Sequence, residues 1–101
     1  MAHHVLIVHE SESIRAEIRH ELLAESMNVT EADSASAAVR EIWQGNFEVV
    51  VLGGGLVMNG TSLENHLKTV APEVVTVMIG KDSAAKIAKK VVDILEGAAA
   101  A

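Results

Sequence analysis

The stretch VVVLGGG, residues 49–55, decides the fold: four unbroken aliphatic residues run straight into three glycines. A strand that faces water on one side alternates apolar and polar residues, whereas one buried on both faces does not. Two further segments share this character, VLIV at 5–8 and VVTVMI at 74–79. Continuous runs of this kind belong to a parallel sheet with helices on both faces. A weaker strand, NVTEA, is expected at 28–32.

Helical periods lie between the strands. Ile14, Ile18, Leu22 and Leu23 recur after HESES, where Ser11 or Ser13 can cap the start. Val39, Ile42 and Trp43 share a face in the second helix, which Ser34 or Ser36 opens and Gly45 closes, and Trp43 is expected to anchor the core. Leu63, Leu67 and Val70 form a third face, with Thr61 or Ser62 as cap and Pro72 as terminator. Ile87, Val91, Ile94 and Leu95 form the fourth, with Asp82 or Ser83 at its start and Gly97 at its end. The order βαβαβαβα with short connections predicts an open, doubly wound, flavodoxin-like sheet of strand order 2-1-3-4. One domain over 1–97 and a flexible alanine-rich tail over 98–101 account for the chain.

Composition narrows the function classes. Eight Lys and Arg against fourteen Asp and Glu give a net charge of -6, which repels nucleic acid unless basic groups cluster. The only such cluster, Lys81, Lys86, Lys89 and Lys90, reads as a solvated helix face. No apolar run is long enough to span a bilayer, the N-terminus lacks a secretory signature, and cysteine is absent, so a soluble cytoplasmic chain is expected. His3, His4 and His9 invite a metal reading, but His3 and His9 lie about 20 Å apart on an extended strand and cannot share an ion. No metal or other cofactor is expected. Ser11, Ser13, Ser83, His9 and Glu10 do not make a nucleophile, base and orienting acid, because serines at helix starts serve as caps, so no enzyme is expected.

In a doubly wound sheet, ligands collect beyond the carboxyl ends of the strands where the winding reverses. For the order 2-1-3-4 that point lies between the first and third strands, which brings His9 and Glu10 beside Gly53.

The sequence resembles the receiver domains of bacterial two-component response regulators. VLIVHES (5–11) looks like the receiver's first strand and acidic pair, and NVTEADSASAAVREIWQGNFEVVVLG (28–53) like its second strand, second helix and third strand. EVVTVMIG (73–80) looks like its fourth strand, and LEG (95–97) like the close of its last helix. The resemblance implies a phosphoryl-accepting aspartate where Gly53 stands and an acidic pair, with that aspartate binding Mg²⁺, where His9 and Glu10 stand. It implies a strand-four hydroxyl where Ile79 or Gly80 stands, and a lysine from a fifth strand, where only Lys81 is offered. Val57 replaces the usual proline of the loop, and the chain is about twenty residues too short for a full fifth strand and helix, which are either missing or lie outside it. These departures define a pseudo-receiver pocket of His9, Glu10, Gly53, Ile79, Gly80 and Lys81, and a protein that acts by contact with a signalling partner or a second copy. The alternative is a sensor that binds an anion or small molecule at Gly53, Gly54 and Gly55, whose backbone N–H groups could cradle it.

Overall fold

The computed structural model describes residues 3–58 and 60–100, with side chains as far as Gly97. Four strands make the main sheet: β1 (His4–Val8), β2 (Asn28–Ala32), β3 (Val49–Leu52) and β6 (Val75–Met78), all parallel, in the order β2-β1-β3-β6. The expected order is therefore observed, with β6 as the fourth strand of the sheet. Helices α1 (Glu12–Ala24), α2 (Ala35–Gln44), α3 (Leu63–Val70) and α4 (Ala84–Ala100) complete the winding.

Side chains alternate across a strand, so each aliphatic run feeds two cores. Val5, Ile7, Val49, Val51 and Val77 pack with Ile18 and Leu22 of α1 and with Ile87, Val91 and Leu95 of α4. Leu6, Val8, Val50 and Leu52 pack on the other face with Ala35 and Ala38 of α2 and with Leu63 and Leu67 of α3. Both faces of β1 and β3 are closed, which is why their sequences lack alternation. The last helix follows β6 after residues 79–83 and packs against α1.

Each helix start is fixed by one hydroxyl. Ser11 accepts from the Ile14 N–H at 3.4 Å, Ser34 from Ala37 at 3.2 Å, Ser62 from Asn65 at 3.2 Å and Ser83 from Lys86 at 3.2 Å. A cap of this kind contributes about 1 kcal/mol. Gly45 ends α2 as expected, and a Cβ there would lie 2.9 Å from the Phe47 ring.

Two expectations fail, and one element was not foreseen. Trp43 is 74% exposed rather than a core anchor. The buried stripe of α2 is Ala35 and Ala38, and Trp43 lies round the helix from them. Gly97 does not stop α4, which continues to Ala100; alanine has the highest helix propensity, and three of them follow the glycine. The side chains of 98–100 and all of Ala101 lie outside the described residues, and with them the tail expected there. A two-stranded antiparallel hairpin, β4 (Val57–Met58) and β5 (Thr61–Ser62), was not anticipated. Its sequence signal is the Asn59-Gly60 dipeptide between the paired residues Met58 and Thr61.

Candidate functional site

The carboxyl ends of β1 and β3 meet as the winding requires. The Gly53 N–H donates to the Val8 carbonyl at 2.8 Å, and the His9 N–H donates to the Ala32 carbonyl at 3.2 Å. His9 is then turned over Gly53. A Cβ at position 53 would stand 2.5 Å from His9 Cδ2 and 3.2 Å from both Cγ and Nε2. Real Cβ atoms do not approach a ring carbon that closely, so the imidazole occupies the space into which a side chain at 53 would project.

Two hydrogen bonds hold His9 there. The Ser11 N–H donates to His9 Nδ1 at 2.8 Å, an arrangement that leaves Nδ1 unprotonated and directs the ring proton to Nε2. Arg15 donates from Nη1 to the His9 carbonyl while its Nε reaches Glu31 Oε1 at 3.2 Å, tying the end of β1 to β2. The same short segment therefore caps α1 with the Ser11 hydroxyl and fixes the imidazole with the Ser11 amide.

The remaining candidate residues do not converge on a reactive centre. Glu10 is exposed. Ile79 is buried at 6% exposure, and its N–H donates to the Leu52 carbonyl at 2.8 Å, which places an aliphatic side chain beside Gly53. Gly80 takes a left-handed φ of 54°, and the exposed Lys81 follows it. Gly54 and Gly55 are exposed, with nothing within 4 Å of a Cβ added at either, and Gly55 has φ 82°. Of the three glycine amides considered as an anion cradle, that of Gly53 is already bonded to Val8.

The Mg²⁺ that the resemblance to receiver domains implies does not fit this donor set. Mg²⁺ needs hard oxygen ligands in an octahedron, and the pocket offers one carboxylate, an imidazole whose Nδ1 is already bonded, and a glycine. Among the described residues no group of three or more His, Cys, Asp or Glu is placed to hold a metal ion. His3 pairs with Glu48 at 2.7 Å and His4 with Thr30 at 2.8 Å, so the three histidines near β1 are engaged separately.

No family model matches the sequence, and no curated protein sequence matches it. Solved structures do. A CheY-like response regulator receiver domain protein from Methanospirillum hungatei JF-1 superposes with a TM-score of 0.80 over 96% of both chains at 14% identity. This is the receiver fold. The signal receiver domain of an HD domain-containing protein from Pseudomonas fluorescens Pf-5 gives a TM-score of 0.73 over 92% of this chain and 75% of its own, at 16% identity. The chemotaxis response regulator CheY4 of Vibrio cholerae gives 0.67 over 93% and 98%, at 18% identity. With identities this low, the receiver likeness speaks for the architecture, and the pocket must be read from its own residues. Among the described residues no helix is long and apolar enough to cross a membrane.

Proposed function

We propose that this chain is a phosphorylation-independent, receiver-like signalling domain of the cytoplasm that acts through protein–protein contact. The observation that carries the reading is the His9 ring lying over Gly53: the place of an acceptor carboxylate holds an imidazole fixed by the Ser11 amide. Ile79, where a hydroxyl would follow the phosphoryl group, supports it. In a phosphorylated receiver the modification biases two surface conformations. Here the surface responds to whatever binds it.

Incubation with acetyl phosphate and Mg²⁺ leaves the intact mass unchanged, and Gly53→Asp does not restore labelling, because the added side chain meets His9 and the metal ligands are still missing. A stoichiometric gain of one phosphoryl group by the native chain overturns the reading.

The second reading, a sensor for an anion at Gly53–Gly55, rests on the two exposed amides of Gly54 and Gly55. Thermal shift with inorganic phosphate separates it, since a site ligand at one hundred times its Kd adds about 2.7 kcal/mol.

A further inference from the structure

We propose that β6 pairs antiparallel with the β6 of a second copy of this chain, about a two-fold axis at Val77, joining two four-stranded sheets into one. The inference deepens the contact-based reading above and rests on it.

Which groups of β6 are free follows from its pairing with β3. The Val75 N–H donates to the Glu48 carbonyl at 3.2 Å and the Ile79 N–H to the Leu52 carbonyl at 2.8 Å. Backbone groups alternate sides along a strand, so Val75, Val77 and Ile79 face β3, while the N–H and C=O groups of Thr76 and Met78 point outward. Among the described residues no strand lies on that side. The strand itself, VTVM, carries no charge and no proline, and Val75 and Met78 are 42% and 40% exposed. A groove of about 410 Å³ runs beside it, lined by Thr76, Val77, Met78, Lys90, Asp93 and Ile94. An uncharged, partly apolar edge with unspent donors and acceptors is a template for another strand.

For a second copy as the occupant, three constraints select the register. Directly opposed residues of an antiparallel pair share a face, so a two-fold axis normal to the sheet must pass through a residue and not between two. An axis at Thr76 would pair Val74 with Met78, but the Val74 N–H is already given to the Ala71 carbonyl at 3.1 Å. An axis at Met78 would pair Thr76 with Gly80, whose φ of 54° is not extended. An axis at Val77 pairs Thr76 with Met78 of the other copy, and those are the two residues whose groups point outward.

The same antiparallel arrangement brings the flank that carries Glu73, before the strand, toward the flank that carries Lys81, after the strand, of the second copy, twice. Both are exposed, and neither takes part in an ion pair among the described residues. The strand's own flanks are thus complementary in charge when two copies meet antiparallel, and mismatched when they meet parallel. A contact built on one strand edge belongs to the smaller, transient class of interfaces, so the dimer is concentration-dependent.

Sedimentation of the full chain across micromolar to millimolar concentrations tests this. The native chain shows reversible dimerisation. Glu73→Lys and Lys81→Glu each weaken it by about tenfold, because each turns two attractive pairs into repulsive ones. An equimolar mixture of the two variants associates again, and the double variant regains self-association, since both restore opposite charges at the same positions. Thr76→Pro removes an outward N–H while sparing the β3 ladder, and yields a folded monomer by circular dichroism.

A native chain that stays monomeric to about 1 mM, or a dimer indifferent to both charge reversals, overturns the proposal. Phosphoryl labelling reads the parent proposal separately. A monomer that is not labelled removes this inference alone, and a labelled chain that dimerises in this register removes the phosphorylation-independent reading alone.

Discussion

The two outer strands of the sheet, β2 and β6, are treated differently by the sequence. Along β2, Glu31 is held by Arg15 and Arg19 of α1, and the Thr30 hydroxyl meets His4 at 2.8 Å. A strand approaching that edge would have to desolvate a charged cluster. β6 itself carries no charge, and the charged residues of the groove beside it, Lys90 and Asp93 of α4, are paired with Asp82 and Lys89 rather than with the strand. Two edges of one sheet therefore differ in what they admit, and the difference is written in a handful of side chains rather than in topology.

The comparison can be broken from the inside. Ile87 is 1% exposed and shares a core cluster with Val77 and Ile79, so it fastens α4 beneath the β6 side of the sheet. Ile87→Ala is expected to lower unfolding stability by about 2–5 kcal/mol in urea titration. Amide exchange should accelerate more in β6 than in β2, and uniform acceleration would show that the two edges are not independently supported.

On the other edge, Arg15→Ala removes the donor to Glu31 and to the His9 carbonyl. The Arg15 and Glu31 side chains keep 14% and 26% of their exposure, and solvent screening holds the loss to about 1 kcal/mol. The loss should appear as faster amide exchange at the ends of β1 and β2, with β6 unchanged.

The smallest effect concerns Asp82. Hydrogen bonding from Lys90, assisted by the charges of Lys86 and Lys90, lowers its pKa below the ordinary 3.8. A depressed carboxylate contributes stability that is present above the unfolded value and lost as pH falls through the folded one. Asp82→Asn should therefore be slightly less stable than the native chain at neutral pH. The two melting temperatures should converge below pH 3.8; a gap that persists in acid would assign the effect to packing.

Much of this architecture could be read from residues alone. VLIV, VVVL and VVTVMI announced buried parallel strands because burial on both faces removes alternation, and serines at the helix starts announced caps. The reading failed where two rules competed. Trp43 sits near Val39 and Ile42 in the helical period, but it lies at the margin of the face that Ala35 and Ala38 bury, and it falls on the solvent side. Gly97 has the residue type of a terminator without a following residue that needs one. In the pocket, adjacency of His9 and Gly53 followed from the strand order. The posture of the imidazole did not, because it depends on the Ser11 amide, and no sequence pattern encodes a backbone donor to a ring nitrogen.

The stacking of His9 on Gly53 makes the two positions interdependent in any mutational history. Acquiring an acidic residue at 53 while the ring stays creates a collision, and trimming residue 9 first strips a bare glycine of its cover and leaves the Ser11 amide without its acceptor. Relief of the collision at 53 therefore comes only with a change at 9, so substitutions at the two positions are coupled and their effects do not add.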